Sequence, residues 1–276
     1  MTGNTFIKWL IQMNEKKVYR SYSQLSSYHR CPEAYRLARI EKVPETPAAW
    51  LPHGTAVHAA GEAYEKSGRN LNEAEVIQIF KDEYIKDTNK LLDKTPNPGQ
   101  WFNSGRYEGK EDIERRYLLG QEHVVNYISY YQKHPDEVIW IDNNGNPAIE
   151  NEFNIELEGV PVRGFIDAVI NIGDLLTVVR DTKTGATPGT TEQLTLYSMA
   201  VEIENPGIQI DQGDYLMTKT GRVSKPHDVT SGKSRDQLTL DFITMDTAVK
   251  NGDFPANPSP ENCRRCPVAQ SCKFRM

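Results

Sequence analysis

The stretch VRGFIDAVINIGDLLTVVRDTK, residues 162–183, decides the fold. Its two halves, Val162 to Ile172 and Leu175 to Arg180, are rich in β-branched and apolar residues, as strands are. Between them, Gly173-Asp174 is a hairpin signal. Asp167 lies within the first strand. Asp181 and Lys183 end the second, and their i, i+2 spacing turns both side chains to one face. A hairpin brings Asp167 within reach of Asp181. Two carboxylates facing each other repel, which is costly unless a divalent cation neutralises them. Oxygen ligands select Mg2+ or Mn2+ over softer metals. A lysine beside the pair can orient or deprotonate an attacking water, or neutralise charge on a phosphorane-like transition state. Phosphodiester hydrolysis needs all three functions. Taken alone, D-x-K at a strand end is a weak signal, since charged residues end strands everywhere.

Outward from this hairpin the pattern stays mixed. Upstream, Phe153 to Leu157 alternates with period two and Gly159 marks a turn. Downstream, a helix is predicted from Thr191 through Ala200, a strand over 208–219 and a helix over 236–250. Gln193 and Tyr197 fall at i, i+4 on the first of these helices. The N-terminal half is helical in pattern. Ser21 to Ser27 supplies N-cap chemistry for a helix running to about Ile40. Pro44, Pro47 and Pro52 then break the chain, and a helix resumes from Gly54. Two more helices are predicted over 72–93 and 111–134, with a loop over 95–106. His58 and Glu62 stand at i, i+4 on the helix after Gly54, where His58 could supply a nitrogen ligand to the same metal. The expected organisation is a leader or short helix over 1–20, a helical region over 21–149, a sheet-bearing core over 150–252 and a cysteine-bearing tail over 253–276. The fold class this implies is α/β: a mixed sheet flanked by helices.

Four cysteines punctuate the 276 residues: Cys31 alone, then Cys263, Cys266 and Cys272 spaced C-x2-C-x5-C. The chain is too long and too cysteine-poor for a disulfide scaffold. Four thiolates can instead complete one zinc site or one iron–sulfur cluster. One of the two C-x2-C knuckles usual for structural zinc is missing, which favours the cluster, with zinc as the alternative. Pro32 and Pro267 follow Cys31 and Cys266 and help turn the chain around a metal centre. Ligation would staple the two ends of the chain together and so contribute to folding.

With 38% hydrophobic and 25% charged residues, the chain is long enough for a sizeable core at roughly 150 residues per domain. No apolar run approaches the ~18 residues of a membrane span, and no signal peptide is recognisable, so a soluble, cytoplasmic chain is expected. Its net charge of −6 argues against indiscriminate polyanion binding. Basic residues nevertheless gather toward the C-terminus, with Lys219, Arg222, Lys225, Lys233 and Arg235, then Arg264, Arg265, Lys273 and Arg275.

Taken in order, the motifs resemble the PD-(D/E)xK nuclease superfamily, and more narrowly its RecB-like, Cas4-type exonucleases that carry an iron–sulfur cluster. The pieces are Tyr22-Ser23-Gln24-Leu25 through Arg30-Cys31-Pro32, Gly54-Thr55-x-x-His58-x-x-x-Glu62, Gly164-x-x-Asp167, Asp181-x-Lys183, Gln193-x-x-x-Tyr197 and the cysteine triplet. Ile166 replaces the proline that names the superfamily, and Asp181 stands where many members have glutamate. The resemblance implies a restriction-endonuclease-like fold with Asp167 and Asp181 binding Mg2+ or Mn2+. His58 would be a third ligand, the Thr182 carbonyl a fourth, and Lys183 the catalytic lysine. Glu62 would support His58 or the water network, and Gln193 and Tyr197 would position DNA. The four cysteines would hold a structural 4Fe–4S cluster. The implied substrate is DNA, mainly at single-stranded ends, in recombination, replication, repair or CRISPR spacer acquisition. The resemblance implies a phage or a CRISPR locus as its home, and the host cytoplasm as its location if it is phage-encoded. The competing reading is a nuclease-fold scaffold that partners recombination or adaptation proteins with little activity of its own. Intact Asp167, Asp181 and Lys183 favour the enzyme, because a scaffold has no need of so costly a charge cluster.

Overall fold

The computed structural model describes residues 17–173 and 176–276. The expected leader therefore lies mostly outside the described residues, as do Asp174 of the hairpin turn and Leu175. A seven-stranded mixed sheet forms the centre. Its longest pairings join β2 (Ile149–Leu157), β3 (Val160–Ile172) and β4 (Leu176–Lys183) antiparallel. Glu158 and Gly159 both take positive φ (46° and 83°) between β2 and β3, the geometry of a two-residue hairpin turn. A helix, Thr191–Glu204, then crosses over so that β5 (Gln212–Met217) pairs parallel with β4. Short strands β1 (Glu137–Ile139), β6 (Arg222–Val223) and β7 (His227–Asp228) complete the sheet. β1 pairs with β3, so the sheet draws one strand from before residue 150.

Both faces of the sheet carry an apolar core. On one, Ile166, Val169 and Val179 pack with Leu194, Leu196 and Phe242. On the other, Ala168, Ile170 and Val178 meet the helical region through Val57, Phe80 and Val124. Numbered from the first described helix, the helices are α1 (Tyr22–Arg30), α2 (Pro32–Tyr35, continuing as a π turn to Ile40), α3 (Trp50–Lys66), α4 (Glu73–Lys94) and α5 (Gly109–Lys133). The crossover is α6, and α7 (Gly232–Lys250) and α8 (Pro260–Arg264) complete the order.

Four elements differ in their bounds from the sequence expectation. The helix expected from Ser21 to Ile40 breaks at Cys31, whose φ of −163° is extended. Proline at 32 disfavours a helical residue before it. α3 starts at Trp50 rather than Gly54, with Pro52 inside its first turn, where a missing N–H costs nothing. The strand expected over 208–219 shortens to β5, while α7 begins four residues before the expected 236.

Candidate active site

β3 and β4 register as Ala168 opposite Arg180 at the end of their ladder. One step further places Asp167 opposite Asp181, beyond the last regular pair. There the Asp167 carboxylate accepts the Thr182 N–H at 2.7 Å. Asp167, Asp181 and Thr182 are all buried. From α3, His58 reaches the same point: its Nδ1 stands 3.4 Å from Asp167 Oδ2. Lys183 Nζ lies 2.7 Å from Asp181 Oδ2 and donates to Gln193 Oε1 at 3.1 Å. Gln193 Nε2 in turn donates to the Tyr197 hydroxyl at 2.8 Å. His58, Asp167, Asp181, Lys183, Gln193 and Tyr197 are thus one connected set.

Glu62 is not part of that set. It pairs with Lys66 at 2.6 Å, one helical turn on, an ordinary exposed i, i+4 contact. The carboxylate against His58 is Glu150, 3.0 Å from His58 Nδ1, and sequence reasoning missed it. The signal was present in hairpin arithmetic: with Leu157 opposite Val160, β2 continued backward sets Glu150 across from Asp167. The expected strand began only at Phe153. Glu150 holds φ at +46°, a strained position for a non-glycine residue inside a strand, and the regular pairing skips it. One ligand atom each from His58, Glu150 and Asp167 lies within 4.8 Å of the others.

The electrostatics show what this arrangement costs. Burial first, and then the Asp167 charge, push the Asp181 carboxyl up to about 7 against the pull of Lys183. Asp167 is also raised, chiefly by burial, with His58 opposing. For His58, burial works downward, but Asp167, Glu150 and Asp181 together push the imidazole up to about 10. Asp181 Oδ2 accepts no well-aligned hydrogen bond although Lys183 is near. Three carboxylates, an imidazole and one under-satisfied buried oxygen suit a hard divalent cation. Beside this cluster a cavity of about 400 Å3 opens, lined by Tyr22, Arg163, Phe165, Gln193 and Tyr197. Gly164 in its wall is required by packing, since a Cβ there would lie 2.7 Å from the Phe153 ring.

At the far end of α1 the four cysteines, all free thiols, line one cavity. Asn257 N–H donates to Cys31 Sγ at 3.5 Å. The Asn257 and Asn262 side chains both donate to the Arg30 carbonyl, tying the C-terminal segment to the end of α1. Burial raises the Cys266 thiol.

Helix, hairpin, crossover and the carboxylate–lysine cluster together define a nuclease class. The PD-(D/E)XK nuclease superfamily model matches residues 19–273, and the chain belongs to that superfamily. It is similar to the gene 69 protein of Mycobacterium phage L5, 42% identical over 92% of this chain and 95% of that one. The gene 69 protein of Mycobacterium phage D29 is 41% identical over 92% and 96%. Among solved structures, a Eubacterium rectale protein provisionally assigned as an exonuclease aligns with a TM-score of 0.52. That alignment covers 92% of this chain and 88% of the other at 14% identity, a likeness of fold. Among the described residues no helix is long and apolar enough to cross a membrane.

Proposed function

We propose that the chain is a Mg2+- or Mn2+-dependent deoxyribonuclease of the RecB-like, Cas4-related type, acting as an exonuclease on single-stranded DNA ends. The observation that carries this is the meeting of His58, Glu150, Asp167, Asp181 and Lys183 where β3 and β4 part. A divalent cation held by His58, Asp167, Asp181 and Glu150, with the Thr182 carbonyl as a further ligand, would supply Lewis acidity toward a phosphodiester and lower the pKa of a bound water. Lys183, steadied between Asp181 and Gln193, can orient a water or offset charge that builds on the phosphate oxygens. Gln193 keeps that ammonium aimed, and Tyr197 keeps Gln193 aimed. Burial around Asp167 and Asp181 strengthens each of these interactions relative to water.

The four thiols around one cavity fit a 4Fe–4S cluster in a structural role, because hydrolysis moves no electrons and the ligands join distant parts of the chain. Zinc is the other occupant the donor set would accept. The role proposed with this activity is in DNA recombination, replication or repair, or in CRISPR spacer acquisition, alongside proteins of those pathways; the similar phage proteins support the host cytoplasm as its place of action.

The test is hydrolysis of end-labelled single-stranded DNA with Mg2+, Mn2+ or EDTA, by wild type and Lys183→Ala. Stepwise shortening is expected with either cation, absent in EDTA and reduced about 100- to 1000-fold in the variant. Undiminished Lys183→Ala activity would place the chemistry elsewhere. DNA binding without cleavage by wild type would favour the scaffold reading.

A further inference from the structure

Away from the cation cluster, a cavity of about 630 Å3 lies between the N-terminus of α3, the 42–48 segment and the cysteine-bearing tail. Its volume falls in the range of small-ligand sites, enough for a nucleotide unit. Arg30, Lys42, Lys94 and Arg265 surround it against a single carboxylate, Glu45, on a chain whose net charge is −6. Among the described residues, none of these four cations forms an ion pair. Its aromatic wall is Trp50 stacked on Phe102, with ring centroids 6.0 Å apart and planes at 24°. The Arg265 guanidinium stands 5.8 Å from the Trp50 centroid. Thr46 N–H donates to the Pro267 carbonyl at 2.7 Å, so the tail is fixed as a wall of this cavity.

Helix α3 runs from this cavity to the cation cluster. Leu51 lines it and is 54% exposed. Leu51, exposed Thr55 and His58 recur at i, i+4 and i+7 on α3, so they share one face of the helix. At 1.5 Å per residue, Leu51 and His58 are about 10 Å apart along the axis. One strand can therefore lie on this face with a backbone unit at His58 and a base beside Trp50.

We infer that this cavity is a second contact site for single-stranded DNA, stacking a base against Trp50 and Phe102 and holding the flanking phosphates with Lys42, Lys94, Arg30 and Arg265. Aromatic platforms with unpaired cations bind single strands without reading sequence. The proposal rests on the nuclease reading of the neighbouring site and assigns its substrate a footprint on the helical region.

The experiment measures binding of a fluorescein-labelled 12-mer of thymidine to the full chain in EDTA, followed by Mn2+-dependent cleavage of the same strand. Trp50→Ala should weaken binding about 5- to 150-fold, the equivalent of one lost stacked base. It should raise KM and largely spare kcat, since Trp50 touches no reacting atom. The double variant Lys42→Glu/Lys94→Glu changes only exposed side chains and guards against a misfolded Trp50→Ala. It should weaken binding and flatten its salt dependence. Affinity for a blunt duplex should change little in either variant. Wild-type binding and cleavage by both variants would overturn the inference, as would equal losses on duplex and single strand. Wild type that binds with these dependences but never cleaves overturns the nuclease reading and leaves the contact site standing. Wild type that neither binds nor cleaves overturns both.

Discussion

Arg180 and Asp181 are consecutive on β4, both buried, and send their side chains to opposite faces of the sheet. On one face, the Arg180 guanidinium donates to Asp214 at 2.6 and 2.8 Å and to Glu137, and it lies over the Tyr130 ring at 5.4 Å. Glu137 also accepts the Tyr130 hydroxyl at 2.8 Å. Donors and acceptors there are matched, and the cluster joins β1, β4 and β5 beneath α5. On the other face, Asp181 shares its surroundings with Asp167 and, through His58, with Glu150. One of its oxygens is under-satisfied and its carboxyl is pushed up to about 7. Burial alone therefore does not mark a functional charge. The distinguishing feature is whether the cluster is complete without a ligand.

Breaking the balanced cluster should have the larger effect on the fold. Arg180→Met leaves Glu137 and Asp214 buried without their cation and should cost about 3–5 kcal/mol in urea denaturation. A loss below about 1 kcal/mol would mean this face is not the structural one.

A third buried group, the imidazole pair His53 and His123, sharpens the same distinction. His53 Nε2 lies 3.4 Å from His123 Nδ1, and Thr218 Oγ1 lies 3.0 Å from that same His123 nitrogen. Burial first, with neighbouring cations adding to it, lowers His53 to about 4 and His123 to about 3. Neither folded-state imidazole takes a proton near pH 6, whereas the unfolded chain does. The penalty is absent above about pH 6.5 and grows as pH falls toward 4. It should reach about 2 kcal/mol per imidazole by pH 5, read as stability against pH. His53→Gln should flatten that slope, and an unchanged slope would contradict the assignment.

The smallest effect expected runs in the stabilising direction. Asp181 ionises less readily in the folded chain than in the unfolded one, so its contribution erodes as pH rises from about 4 through 7. Asp181→Asn in EDTA at pH 8 should be about 1 kcal/mol more stable than wild type, and it should be inactive when Mn2+ is supplied. A clear loss of stability would show that Asp181 is held as a structural partner of Lys183.

How much of this was legible in the sequence varies by element. Asp167, Asp181 and Lys183 were readable because strand periodicity and one turn fix their relative places. Gln193 and Tyr197 followed from helical spacing. The Arg180 cluster was invisible, since it depends on β1 pairing with β3 and on the parallel β4–β5 register, both set by tertiary contacts. Glu150 is hidden because period-two alternation becomes regular only at Phe153, four residues into β2, and Glu62 attracts notice only through its i, i+4 spacing from His58. On α3 that proximity is spent on Lys66. The face shared by Leu51 and His58 depends on α3 starting at Trp50, ahead of a proline at 52 that reads as a break in the sequence.

An under-satisfied cluster of this kind should bind a divalent cation. Titration of the full-length chain with Mn2+, followed by electron paramagnetic resonance of the free ion, tests it most directly beside Asp167→Asn. Saturable binding by wild type, weakened more than about 10-fold in the variant, is the expected result. Equal Mn2+ binding by the two proteins, or none by wild type, would contradict it.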